Sequence, residues 1–254
     1  MIACDAPVKS SVPMPRPPTR AAMHTLLAFD TATERISVAL MAHGRIWQHE
    51  GDGGAKASAT FLPAVMALLA DASVRVGDLD AIAFGRGPGA FTGLRTACAV
   101  AQGLAFGADK PVLPIDTLLA IAEDARRGEE SVQVWSVMDA RMNEIYAAQY
   151  GYEAGGWRVL DAPMLTDPDS LNQRWRSAPP AVVAGNALVG FGPGLDCGNA
   201  RRVPDAAPRA VGMLSLASAL WAAGGAVAAS DALPLYLRDK VAETTAERAA
   251  RIGA

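Results

Sequence analysis

At 254 residues, with 51% apolar side chains and a formal net charge of −3, the chain has enough core-forming material for one large domain or two lobes. No uninterrupted apolar run approaches the ~20 residues of a membrane-spanning helix, and the weak net charge excludes a general attraction to nucleic acid. The three cysteines, Cys4, Cys98 and Cys197, are widely spaced and form neither a disulfide framework nor a zinc knuckle, which fits a reducing compartment.

Residues 1–22 hold Pro7, Pro13, Pro15, Pro17 and Pro18 and lack the apolar segment of a secretion signal. They read as a disordered extension, with Met14 and Met23 as alternative starts of translation. Beyond it the chain repeats at an offset of 109 residues. Leu26 to Phe29 leads to Asp30, an alternating run opens at Ile36, and a turn at Gly44 precedes Trp47. Val134 to Met138 leads to Asp139, a second run opens at Ile145, and a turn at Gly155-Gly156 precedes Trp157.

Each half continues as helix, strand, helix: Ala59 to Ala72, Asp80 to Phe84 and Thr92 to Phe106, then Asp169 to Arg176, Ala181 to Ala184 and Gly212 to Ala223. A fifth strand, Pro111 to Ile115, and a helix, Thr117 to Arg127, finish the first half. The pattern predicts an α/β protein of two βββαβα lobes, residues 23–127 and 128–254. The closing segment, Asp239 to Ala254, either packs on the first lobe or is a solvated helix.

The segment GRGPGAFTGLR, Gly85 to Arg95, joins an apolar strand to a helix through closely spaced glycines. Unpaired N–H groups at such a helix start attract anions, and Thr92 is a candidate cap. The lysine and hydroxyl of a P-loop are missing, and Gly85, Gly87 and Ala90 satisfy only a relaxed dinucleotide fingerprint without its acidic residue. Cys98 sits in an apolar helix and reads as structural. His24, His43 and His49 form no ligand pair, and no Gly-x-Ser-x-Gly elbow occurs. No catalytic or metal-binding constellation is nominated.

Two helices instead carry more apolar surface than one sheet needs. Phe61, Leu62, Val65, Met66, Leu68 and Leu69 spread over roughly 160° at ~100° per residue. On the second helix Leu94 and Cys98 lie on one side, Val100 and Leu104 on the other, with alanines between. The predicted partner face is therefore Phe61, Leu62, Val65, Met66, Leu69, Leu94, Arg95, Ala97, Val100, Ala101 and Leu104, the two helices pairing with equivalent helices of another chain.

Duplication at this unit length resembles the actin, sugar kinase and Hsp70 (ASKHA) superfamily, in which the aspartate after the first strand of each lobe faces a nucleotide cleft. By that resemblance Asp30, Asp139, Gly87, Gly89 and Thr92 are candidate nucleotide contacts, and an ATP-dependent transferase or kinase is the alternative reading. Asp30-Thr31-Ala32-Thr33 nevertheless lacks the glycine that lets amides touch phosphate, and an Asx turn is an equal role for Asp30.

FDTATERISVAL (Phe29 to Leu40), the segment Gly85 to Val112, DARMNEIY (Asp139 to Tyr146) and PLYLRDKVA (Pro234 to Ala242) together resemble the TsaB family, over about residues 25 to 245. These are dimerization subunits of the bacterial machinery that makes N6-threonylcarbamoyladenosine in tRNA. The resemblance implies a cytoplasmic scaffold without catalysis of its own. It also implies partnership with a TsaD-like catalytic paralogue and a TsaE-like ATPase, a homodimer when alone, and contact with tRNA only through the complex. No intrinsic cofactor is implied, and ATP or ADP is a candidate ligand only at the partner interface. TsaD holds a metal through a His-x-x-x-His pair after its fifth strand; here Thr117 and Ile121 stand in those places, and an isoleucine cannot coordinate.

Overall fold

The computed structural model describes residues 24–53 and 57–238. The predicted extension 1–22 and the closing segment 239–254 lie outside the described residues.

Ten strands form two five-stranded sheets. The first holds β1 (Leu26–Asp30), β2 (Arg35–Ala42), β3 (Arg45–Asp52), β4 (Ala81–Gly87) and β5 (Val112–Asp116), in the order β3-β2-β1-β4-β5. The second holds β6 (Val132–Arg141), β7 (Glu144–Glu153), β8 (Gly156–Thr166), β9 (Val182–Ala184) and β10 (Arg201–Val203), in the order β10-β9-β6-β7-β8. Counted from the first strand of each half, the two orders are the same, as a duplication requires. In each half the first three strands form an antiparallel meander and the fourth pairs in parallel with the first.

The helices are α1 (Ala57–Asp71), α2 (Phe91–Ala108), α3 (Thr117–Arg126), α4 (Pro168–Ser177), α5 (Ala187–Gly190) and α6 (Ala210–Ala222). Each half thus reads βββαβαβα, one βα pair longer than predicted for the second half. The additional α5 and β10 span only four and three residues, too few to display a period. Strand β4 begins and ends later than predicted, leaving Leu79 buried just ahead of it.

Alternation along β1 explains the layering, because the strand is wholly buried and each face has its own cover. Leu27 and Phe29 join Ile36, Val38, Leu40, Phe61 and Val65 beneath α1 and α2. Leu26 and Ala28 join Ala39, Ala81 and Ala83 beneath Met213, Leu214 and Ala217 of α6. On the second sheet, Val134, Met138 and Tyr150 face Leu118, Ile121 and Ala125 of α3, while Trp135, Val137 and Ile145 face Leu171 and Trp175 of α4.

Chain order and packing therefore part company. α3, from the first half, covers the second sheet, and α6, from the second half, covers the first; the two touch each other between the sheets. The predicted division at 127/128 follows the connectivity, whereas the helices are exchanged across it. α6 is suited to this place because Met213, Leu214, Leu216 and Ala217 are buried and Val211, Leu220 and Trp221 pack beside them, a broad apolar face that leaves Ser215, Ala219 and Ala222 on the exposed side. Its first amide, Ala210 N–H, donates to Ser37 Oγ at 2.8 Å, so a strand hydroxyl takes over the work of a cap.

The alanines under α6 let helix and sheet approach closely. Ala83→Leu is expected to force them apart and cost about 1–3 kcal/mol, read as a lower urea midpoint at an unchanged denaturant slope.

Candidate functional site

Asp30 ends β1 with a side chain that is 1% exposed. Its Oδ1 accepts from the amide of Ala32 at 2.7 Å, and its Oδ2 accepts from the hydroxyl of Thr117 at 2.8 Å. That hydroxyl oxygen also accepts from Gly87 N–H at 3.2 Å. The Asx-turn reading of Asp30 is the one the geometry displays. Burial pushes its carboxyl up to about 6, against the opposing pull of the Ala32 and Thr117 hydrogen bonds.

Around this carboxylate the glycine loop is shut by the chain itself. Gly85 has no room for a side chain because a Cβ there would overlap the Asp30 carboxylate, and one at Gly93 would overlap the Thr31 carbonyl. A Cβ on Gly89 would lie 2.6 Å from that of Ala32. The hydroxyl of Thr31 donates to Gly93 O at 2.7 Å, and Ala90 N–H donates to Ala32 O at 2.8 Å. The glycines thus serve contact between two backbone segments, and the place where a phosphate would meet the start of α2 is filled by Thr31 and Ala32. Nor is Thr92 the cap: Ala90 occupies that position without a side-chain bond, and Thr92 is exposed in the first turn. Asp30, Gly87, Gly89 and Thr92 therefore do not form a phosphate cradle. Gly87, at φ +110°, is instead packed 2.9 Å, measured from an added Cβ, from Leu235 O.

Asp139 repeats the backbone role of Asp30, its Oδ1 accepting from Arg141 N–H at 2.7 Å, but it is partly open to solvent. It lines a cavity of about 590 Å³ between the two halves, walled by the β1–β2 loop, the start of α2, the β6–β7 turn and residues 204–209 and 235–238. The four arginines on the wall each have a carboxylate partner: Arg35 with Glu50, Arg141 with Glu34, Arg209 with Asp124 and Arg238 with Glu144. Much of the remaining wall is apolar, including Phe91, Leu94, Ile121 and Met138. A charge-balanced, apolar cleft is poorly matched to a polyphosphate. Thr117 and Ile121 are both buried, Thr117 as the hydrogen-bond link just described. Among the described residues no group of three or more His, Cys, Asp or Glu is placed to hold a metal ion.

The predicted partner face divides in two. Phe61, Val65, Leu69, Leu94, Ala97 and Ala101 are at most 2% exposed and belong to the protomer's own core. They are corrected from interface to core, since the sheet beneath takes both the wide stripe of α1 and one side of α2. Leu62 and Met66 on α1, at 42% and 47%, and Arg95 on α2 do reach the surface. Val100 and Leu104 are half-buried between the helices. Phe106, at 85%, is an exposed aromatic on α2 that lay outside the predicted face. Cys98 is buried, and burial raises its thiol, in keeping with an inert structural role.

The chain is similar over most of its length to known proteins. The tRNA threonylcarbamoyladenosine biosynthesis protein TsaB of Escherichia coli (strain K12) is 34% identical over 221 residues, 85% of this chain and 96% of the relative. TsaB of Haemophilus influenzae is 35% identical over 227 residues, 85% of this chain and 94% of the relative. The chain belongs to the TsaB family. Among solved structures, YeaZ from Pseudomonas aeruginosa matches with a TM-score of 0.77 at 39% identity, over 85% of this chain and all of that one. The family model described as TsaD, tRNA N6-adenosine threonylcarbamoyltransferase, matches residues 54–169.

In this TsaB-family chain, sequence reasoning found Asp30 and the glycine loop but missed Thr117 as their shared partner, because a hydroxyl 87 residues away carries no local signal. It also passed over Glu34 and Arg141, which meet across the cleft from equivalent turns.

Asp30 gives the protein a pH signature. Its carboxyl titrates higher in the folded state than the ~3.9 of an unfolded chain, so the folded state holds the extra proton between about pH 4 and 6. Stability is therefore expected to fall, not rise, as pH increases through that window, by on the order of 2–3 kcal/mol. Asp30→Asn should flatten this slope in urea unfolding measured from pH 4 to 7.

Proposed function

We propose that this chain is a non-catalytic subunit that binds and activates a TsaD-family transferase in the formation of N6-threonylcarbamoyladenosine on tRNA. The observation that supports the reading is the closure of the Asp30 loop: Thr31 and Ala32 pack against Gly89 and Gly93, and their hydrogen bonds to Gly93 O and from Ala90 N–H tie the two loops together, so the glycines serve backbone contact. The names of the relatives supply the pathway.

Surface chemistry then points to binding as the activity. Leu62, Met66 and Phe106 leave an apolar face on α1 and α2, edged by Arg95. Burying each such side chain is worth up to about 1.5–3 kcal/mol, a gain realised only against another protein. The transferase family model extends over residues 54–169, which include α1 and α2, so a transferase of that family carries counterparts of both helices. Two such pairs stacked about a pseudo-two-fold axis give a four-helix contact, and without the transferase a second copy of this chain fills the same place. A TsaE-like ATPase and tRNA join through the assembled complex. Any ATP or ADP belongs to the partners or to the junction beside Arg95. This division of labour suits a cytoplasmic protein, and no described helix is long and apolar enough to cross a membrane.

The test uses the full chain with a TsaD-family transferase. Leu62→Asp with Met66→Asp is expected to weaken binding at least tenfold, about 1.4 kcal/mol, while the variant stays folded and elutes as a monomer. Leu69→Asp, by contrast, should unfold the protein, because Leu69 is core. Unchanged affinity in the double variant, or magnesium-dependent ATP turnover by the isolated chain, would overturn the proposal in favour of an ATP-dependent transferase or kinase.

A further inference from the structure

The Tyr236-Leu237-Arg238 run is not explained by the loop at Asp30 or by the face of α1 and α2, yet it is tied to both halves of the molecule. Upstream of it, Ala232 O accepts from Gln102 Nε2 at 2.9 Å and from the Cys98 thiol at 3.1 Å, so the segment starts along the flank of α2. Leu235 N–H donates to Arg86 O at 2.7 Å at the end of β4. The Tyr236 ring lies 5.3 Å from that of Phe91, and its hydroxyl accepts from Arg95 Nε at 3.3 Å. The Arg95 guanidinium carbon stands 3.7 Å above the Phe91 ring. One residue on, Leu237 packs against the core of the second sheet.

Arg238 completes the crossing. Its side chain is 17% exposed and donates to Ala140 O at 2.9 Å, to Arg141 O at 3.3 Å and to the Glu144 carboxylate. All three acceptors belong to the β6–β7 turn, where Arg141, Met142 and Asn143 have φ of 64°, 55° and 60°. Consecutive left-handed residues other than glycine are costly and persist only where their surroundings hold them. The guanidinium holds the turn with both ends, Nη2 toward the two carbonyls and the carboxylate and Nη1 toward Met142 Sδ at 3.3 Å, a spread that a single point charge does not have.

We propose that residues 233–238 are a clasp across the cleft and that Arg238 is a positioning residue, fixing the β6–β7 turn and, through Tyr236, the Phe91–Arg95 end of α2. The clasp deepens the partner-binding reading and rests on it in one respect: the α2 end it orders is the edge of the proposed partner face. Arg238 touches no partner residue in this scheme. Its influence travels along three residues of chain to Tyr236, and so to Arg95.

Hydrogen exchange on the free, full-length chain tests the clasp without any partner. Arg238→Gln is expected to speed exchange about fivefold or more at both residues 140–144 and residues 91–95, the lower end of usual coupling between sites, with β1 and residues 132–138 of β6 unchanged. Tyr236→Ala should speed exchange at 91–95 alone. Arg238→Lys, which keeps the charge beside Glu144, should restore part of the protection at both segments together. Acceleration confined to the turn, recovery by lysine at the turn only, or uniform acceleration across the protein would overturn the clasp. With the transferase present, Arg238→Gln should weaken binding by a similar factor. If the wild-type chain binds no transferase, the partner reading fails, and the exchange pattern alone decides the clasp.

Discussion

One buried carboxylate sets the geometry of the first half. Asp30 joins the end of β1 to its own following turn through Ala32 N–H and to α3 through Thr117, whose oxygen in turn receives Gly87 N–H from the glycine loop. A single chain of hydrogen bonds therefore fixes three segments that are remote in sequence, inside a region from which water is excluded. In such surroundings each bond is stronger than at the surface and an unmade one is costly, so the arrangement is all or none. The same enclosure that raises the Asp30 carboxyl also leaves no gap between the loop after β1 and the loop after β4. Structural tightness and the absence of a phosphate cradle are one fact here.

The exchange of α3 and α6 makes the two halves interdependent in the same way. Each sheet borrows a covering helix from the other half, so neither has a complete core alone. At the outer rim of the cleft the two halves also meet through the exposed Glu34–Arg141 pair and the segment from Leu235 to Arg238. An exposed pair contributes at most about 1 kcal/mol, so the buried contacts of the segment dominate there.

How far the sequence speaks follows from which physical signals are local. The repeat was legible because a buried apolar run leading to an aspartate, followed by an alternating run and a glycine turn, is written in consecutive residues; Asp30 ends β1 and Asp139 lies two residues before the end of β6, each accepting from the amide two residues on. The sheet that α6 covers was not legible, since a broad apolar helix face fits any buried layer and its period names no partner. The face of α1 and α2 was half legible for a related reason. Helical spacing shows how many sides are apolar but not which one meets the sheet, so Phe61, Val65 and Leu69 could not be told from Leu62 and Met66. Thr92 misled because cap preferences assume a helix start facing water, whereas here the neighbouring backbone at Ala32 already receives the Ala90 amide.

The two aspartates keep one backbone role in different surroundings. Both carboxylates accept from the amide two residues on, a bond that shapes the turn whatever lies beyond it. Asp139 stays at the cleft wall beside Arg141, whereas Asp30 is sealed by Thr117, Gly85 and the Ala32 amide. An aspartate kept for a turn explains its place in the sequence without any nucleotide, because replacing it would release the turn and strand Thr117. Such a turn persists on backbone grounds alone, while Leu62, Met66 and Phe106 stand exposed on α1 and α2. The closed loop at Asp30 and the exposed apolar side chains of α1 and α2 thus belong to different parts of the same half.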